Sequence, residues 1–270
     1  MKTANAAKAT SQAKKLLMPP PFPAVVLRLI QEMQNPNAGA TDLGKLIEFD
    51  PSLSTSLLRL VNSPFFGMRG QVSNVSDAVM VLGTGAVRRM VLSLAVAAPL
   101  RRTDIDPAFA RRQWLHTVSC AALARRLIEG DSAASELAFT AGLLHDIGQM
   151  CLFQLHGAAY VALFAEVPHG DRRGLEKERF GQAHDSLGAD LLEAWGLPQA
   201  IADVARQHHA PLQPAQLPLV QRAVWVANHL SDTAGEAGPL MAVSCEGLAP
   251  AEQATQEARA EIDALAGLLN

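Results

Sequence analysis

Cysteine is scarce in this chain. Among 270 residues there are three, Cys120, Cys151 and Cys245, with no close spacing. That odd, sparse set argues against a disulfide framework and against a cysteine-based zinc site. A surplus of positive charge is also missing. The formal net charge is −3 and the sequence pI is near 6.2. Lys and Arg are scattered or fall in short pairs (Arg88-Arg89, Arg101-Arg102, Arg125-Arg126), which at helical positions read as solvated faces. A phosphate-backbone binder carries a basic patch or stripe, so no direct nucleic-acid partner is expected. No apolar run reaches bilayer length. The longest, Met90 to Leu100, is interrupted by Ser93 and is too short to span. The opening Met1-Lys2-Thr3-Ala4-Asn5 lacks the apolar core of a signal peptide. The expectation is a soluble cytoplasmic protein without membrane contact.

What is present is an ordinary globular composition, 49% hydrophobic and 18% charged, with volume for one large domain or two small ones. Strand-like alternation is absent, and apolar residues recur at helical spacing. Residues 1–17 are rich in Ala, Lys and Ser and read as a tail. Met18 to Pro23 is a rigid extended segment leading into a helix over Ala24–Met33, broken at Asn35-Pro36-Asn37. Thr41 is expected to cap a helix over Asp42–Glu48. Asp50-Pro51 starts the next, which Asn62-Ser63-Pro64 stops, with Asn62 and Ser63 read as capping residues. Ser76 opens a helix that turns at Gly83–Gly85, and Val87–Ala98 follows as a buried helix.

Arg101 to Pro107 is the candidate boundary between two lobes. Helices are expected beyond it at Phe109–Glu129, Glu136–Leu155, Gly157–Glu166, Leu175–Trp195, Gln199–His209 and Val220–Asp232. Pro211 to Pro218 reads as a loop, and residues 234–248 as irregular. Pro250–Leu269 is a closing helix with proline in its first turn. The fold class is all-α.

The sharpest feature is Leu143-Leu144-His145-Asp146-Ile147-Gly148. His and Asp are both metal ligands, and neighbours on a helix point about 100° apart, so one helix could grip an ion while others complete the shell. The chain has eight histidines: His116, His145, His156, His169, His184, His208, His209 and His229. Each has a plain alternative. His116 alone reads as a partly exposed helix residue. His208-His209 reads as a helix C-terminus, where imidazolium suits the dipole. Asp146 before Gly148 reads as a helix-end feature. Neutral imidazole with carboxylate suits Zn, Fe, Mn or Ni.

Taken in order, His116, His145-Asp146, His184 and His208-His209 resemble the HD superfamily of metal-dependent phosphohydrolases, with Phe139 to Gly148 similar to its core motif. Several further phrases are similar to one branch, the HDOD domain: Pro20 to Pro23, Asp50-Pro51, Leu58 to Ser63, Val75 to Val79 with Leu82-Gly83, Phe180 to His184, Trp195 to Pro198, and His208-His209. The similarity runs from about Met18 to His229.

The resemblance implies an all-helical, two-lobed bacterial signalling module, its HD-type helical core preceded by an N-terminal helical lobe. The expected layout is a tail (1–17), an HDOD domain (18–233, with lobes 18–105 and 106–233), and a linker with a C-terminal helix (234–270). It implies one or two divalent ions (Fe, Mn, Zn or Ni). His116, His145 and Asp146 would begin the first site, and His184, His208 and His209 would hold the second, with Asp146 between. Three departures weaken catalysis, and no residue is named catalytic. Asn228 stands where the family's enzymes have a final Asp, so by the resemblance it is a candidate metal ligand, though a neutral and weaker one than a carboxylate. Gln149 replaces a Lys that contacts substrate phosphate. Ala210-Pro211 follows the histidine pair in place of a Glu and a Gly-Tyr-Pro loop. The expected function is regulation through a protein partner, such as a response regulator or a cyclic-dinucleotide enzyme, or through a nucleotide ligand. A homodimer is compatible with it. The alternative is a phosphohydrolase acting on a cyclic dinucleotide or nucleotide.

Overall fold

The computed structural model describes residues 27–28, 30–31, 40–63, 66, 70–101, 105–167, 172–209, 216–232 and 247–269. The expected 1–17 tail, the Met18–Pro23 segment, most of the 24–33 helix, the break at 35–37, Ala210-Pro211 and most of the 211–218 loop and of the 234–248 stretch lie outside them, as do His169 and Cys245. The described residues form helices and no strand.

Acceptor side chains start four of the helices. Asp50 precedes α1's successor, so the order begins with α1 (Ala40–Glu48) and α2 (Pro51–Val61). Asp50 accepts the backbone N–H groups of Ser52 and Leu53, each at 3.0 Å, ahead of Pro51. Asn74 accepts from Asp77 at 2.8 Å to begin α3 (Val75–Ala97), and the 3₁₀ turn Ala98–Arg101 follows. Asp106 accepts from Phe109 at 2.7 Å at α4 (Pro107–Leu127), again with proline in the first turn. Asp131 accepts from Ala134 at 2.9 Å at α5 (Ser132–Leu144). Each cap satisfies an orphan helix donor and is worth about 1 kcal/mol. Thr41 is no cap: α1 begins at Ala40, so Thr41 lies inside its first turn. Asn62 caps the end of α2, as expected. Its amide also donates to Val72 O at 2.8 Å and accepts from Val72 N at 3.2 Å, pinning the loop before α3.

The remaining elements are α6 (Ile147–His156), α7 (Ala158–Glu166), α8 (Arg173–Phe180), α9 (His184–Ala194), α10 (Gln199–Gln207), α11 (Leu219–Asp232) and α12 (Ala251–Ala266), ending in a 3₁₀ turn at Gly267–Leu269. Two expected helices are each divided. Glu136–Leu155 splits at His145-Asp146, and Leu175–Trp195 splits at Gly181, which has φ 86°. The His-Asp dyad therefore sits in the turn between α5 and α6 and not within one helix. Gly83, with φ 80° and ψ 159°, bends α3 where a turn was expected. The stretch Val75–Arg101 has the length and apolarity of a membrane span, with a mean hydropathy of 1.6 in its best window. Half of that window is buried inside the fold, chiefly the run from Val87 to Ala97.

Helices α1 and α2 pack on α3, which also meets α5. Helix α4 is the central strut, lying against α5, α11 and α12. Small side chains let neighbours come close: Cys120, Ala121 and Ala124 of α4 are fully buried, and a Cβ on Gly142 of α5 would come 2.9 Å from Ala121 Cα. Large ones fill the rest, led by Trp114, whose indole N–H donates to Leu265 O at 2.8 Å. The closing helix is held by charge as well. Glu261 accepts from Arg89 Nε at 2.9 Å and from Arg125 Nη2 at 2.6 Å, and Arg89 also pairs with Glu136.

Candidate metal centre

The packing brings four helix ends and the middle of α4 together around one point. His116 projects from α4. His145 caps the end of α5, and Asp146 stands at the start of α6. His184 opens α9, and His208-His209 follow α10. Glycine makes the convergence sterically feasible. A Cβ on Gly148 would lie 1.9 Å from His184 O, so α6 and α9 meet backbone to backbone.

Asp146 occupies an N-cap position yet makes no capping hydrogen bond. Its carboxylate turns to the histidines. Oδ2 lies 3.4 Å from His145 Nε2 and 3.5 Å from His116 Nε2. Oδ1 lies 3.2 Å from His208 Nε2 and 3.5 Å from His184 Nε2. His184 Nε2 is 3.0 Å from His209 Nε2, and His116 Nε2 is 3.2 Å from His145 Nε2. The ligand atoms form two groups, Asp146-His184-His208-His209 and His116-His145-Asp146, each within 4.8 Å. Asp146 belongs to both.

The far side of each ring explains why these Nε2 atoms are available. His145 Nδ1 donates to Gly142 O at 2.6 Å, and His208 Nδ1 donates to Ala205 O at 2.7 Å. A carbonyl accepts only, so Nδ1 carries a proton and Nε2 is the ring atom turned to the cluster, where the neutral ring would offer a lone pair. Asp146 Oδ1 is buried without a well-formed hydrogen bond. A buried carboxylate oxygen facing the Nε2 atoms of several imidazoles is the donor set that suits a divalent cation, so the residues present fit such an ion.

The profile of the HDOD domain family matches residues 19–211. The chain belongs to the HDOD domain family. A protein of Treponema pallidum (strain Nichols) described as uncharacterized is 28% identical over 197 residues, 70% of this chain. This chain spans only 37% of that relative's length. Two solved structures share the fold at a TM-score of 0.72. One, from Shewanella amazonensis SB2B, is provisionally described as a phosphohydrolase; it is 21% identical, with 95% of this chain and 97% of that one covered. The other, from Marinobacter aquaeolei VT8, is provisionally described as a signal transduction protein; it is 24% identical, with 98% and 66% covered.

Charge in this HDOD domain is finely divided. Burial disfavours imidazolium at His145, yet Asp146 and Cys120 outweigh it and raise the group to about 9. His184 is also raised, because Glu176 and Asp146 outweigh its burial. Burial lowers His208, and burial with the neighbouring His208 and His184 lowers His209 to about 2. Asp146 is buried, but the surrounding histidines hold its carboxyl well below the usual range.

Not every expected residue gains a place. Asn228 is buried on α11, which packs against α4 and α5, and its role as a ligand rests on the resemblance alone. His156 stacks on Phe180, and His229 Nδ1 donates to Trp225 O at 2.7 Å. Three neighbours were not anticipated. Glu176, fully buried, accepts from His184 Nδ1 at 2.6 Å and from Tyr160 OH at 2.8 Å. Gln113 donates to Gln149 Oε1 at 2.6 Å. Glu176 lies in Arg-Gly-Leu-Glu-Lys-Glu-Arg-Phe, a run whose charge reads as solvated. The one available signal is its position eight residues before His184.

Proposed function

We propose that this HDOD domain is a cytoplasmic regulatory module that keeps a metal centre without phosphodiester turnover. Its output would be binding of a signalling partner, such as a response regulator or a cyclic-dinucleotide enzyme, or of a nucleotide ligand. The observation that carries the reading is Gln149. Where the related enzymes place a phosphate-contacting lysine, this chain has a neutral amide that is buried and bonded to Gln113. No cation is offered to a phosphate from that position. Asn228 brings a neutral amide where a carboxylate would balance the charge of an ion.

Asp146, His116, His145, His184, His208 and His209 would hold the metal. A bound divalent ion supplies Lewis acidity and lowers the pKa of a bound water. The chain's own part is to orient the ligands and exclude water from them. A signalling role also agrees with the description of the Marinobacter structure.

The second reading, a metal-dependent phosphohydrolase, draws on the convergence of five histidines on Asp146. One experiment separates the two. Metal-loaded wild type, His145→Ala and an Asn228→Asp, Gln149→Lys double variant are assayed on cyclic di-GMP and on bis(p-nitrophenyl) phosphate. We expect no turnover by wild type and measurable turnover by the double variant. Metal-dependent hydrolysis by wild type that vanishes in His145→Ala would refute the regulatory reading.

A further inference from the structure

We infer that the two halves of the centre are unequal. The Asp146-His184-His208-His209 half takes the first ion, and Glu176, with Tyr160 behind it, is the positioning residue that sets this order. The inference rests on the metal reading above.

The halves differ in ligands and in support. One gathers four residues, the other three, and they share one carboxylate. The first ion to arrive uses the Asp146 charge. The second faces that ion, with Asn228 in place of a carboxylate. The supporting contacts differ more. His145 leans on a neutral carbonyl, Gly142 O. His184 leans on the carboxylate of Glu176. Glu176 Oε2 accepts both the His184 ring N–H at 2.6 Å and the His184 backbone N–H at 2.8 Å. Two bonds to one residue fix the ring plane and the start of α9 together. Oε1 accepts Tyr160 OH at 2.8 Å, so the carboxylate itself cannot swing. Tyr160 and Glu176 are both fully buried, which removes water as a competitor.

A carboxylate behind an imidazole does two things for a metal. It holds the ring on target, and it makes Nε2 a stronger donor. Both effects act on His184 and hence on the four-residue half. Helices α7 and α8 carry Tyr160 and Glu176 but supply no ligand of either group. Their contribution to the centre is this relay.

The test uses the untagged full chain, stripped of metal with a chelator. Zn²⁺ is titrated calorimetrically, and Co²⁺ is titrated by visible absorption. Wild type is expected to show a tight first step and a weaker second. Glu176→Gln should weaken the first step about 10–100-fold and alter the Co²⁺ band of the first equivalent. Tyr160→Phe should weaken the same step by less. His209→Ala should remove the tight step, and His116→Ala the weak one. If Glu176→Gln does not fold by circular dichroism, Tyr160→Phe and the two histidine variants decide. The inference is overturned if wild type binds both ions alike, or if His116→Ala removes the tight step while the Glu176 and Tyr160 variants leave it intact. Absence of any stoichiometric binding by folded wild type would overturn the metal reading itself.

Discussion

Gly148→Ala tests whether backbone contact between α6 and α9 builds the centre. The added Cβ would sit 1.9 Å from His184 O and 2.8 Å from both His184 C and Gly188 N. These are backbone atoms, so no side chain can rotate away. Ordinary contact lies near 3.5 Å, and the two helices must part by on the order of 1 Å or more. Overpacking of this kind costs typically about 1–3 kcal/mol, and a rigid backbone places it at the upper end. For a chain of this size, about 3 kcal/mol lowers Tm by roughly 6–12 °C. His184 heads α9, so the same movement carries its Nε2 away from Asp146 Oδ1, now 3.5 Å distant. Metal ligation tolerates errors of only about 0.2 Å, so zinc affinity should fall as well. Gly174→Ala is the control: no atom lies within 4 Å of its Cβ, and stability should hold or rise slightly. The assay is thermal unfolding by circular dichroism in chelator, with a parallel Zn²⁺ titration. A Gly148→Ala chain that melts with wild type and binds zinc equally would refute the argument.

Two further outcomes follow from charge. In the metal-free chain His145 and His184 have raised pKa values, so their stabilising contribution is complete below the unfolded value, about 6.5, and for His145 is lost as pH rises through about 9. His208 and His209 are lowered, so the unfolded chain takes up their protons first and stability also falls as pH drops below about 6.5. Tm measured in chelator should peak near neutrality, and a flat profile from pH 6.5 to 9 would contradict the pairing of His145 and His184 with Asp146 and Glu176. Glu261→Gln leaves Arg89 and Arg125 without the carboxylate they share across α3, α4 and α12. Urea unfolding should show a loss of about 1.5–3 kcal/mol with unchanged zinc affinity, and a loss below about 0.5 kcal/mol would mean that the cluster is solvated.

Much of this was legible before the structure, for identifiable reasons. Asp50-Pro51 marks a helix start because caps and proline act locally, whereas Pro107, read as part of the boundary between lobes, also opens a helix. Gly83 marks a bend because only glycine takes its φ of 80° at no steric cost. The division of Glu136–Leu155 was signalled only by Asp146 before Gly148, and the helix was expected to run through it. His145 keeps helical angles (φ −57°, ψ −35°), and only Asp146 departs (φ −102°, ψ 16°), so apolar periodicity runs on from Leu144 to Ile147. Gly181, by contrast, carried a usable helix-end signal that the pattern of Leu175–Trp195 obscured. The ligand residues could be read from order alone. The Tyr160-Glu176 relay could not, since one member is the chain's single tyrosine and the other sits in a charged run. A pattern reports the average environment of a helix face, and a lone buried carboxylate is an exception to it.

On the proposed regulatory reading, the same geometry would let a module of this kind keep its centre without the chemistry. Replacing Asp146 would leave imidazoles from four helices facing one another in a buried space without their shared countercharge. Removing one member of such a set costs more than the set contributed, because its partners stay buried and unmatched. Gln149 is different. Among the described residues its amide oxygen accepts from Gln113 Nε2, in a contact that no metal ligand shares. Exchange of a cation for an amide there is a local event, and the new hydrogen bond offsets the burial of both polar groups. Positions that touch only a substrate can therefore change one at a time. Positions that satisfy one another can change only together.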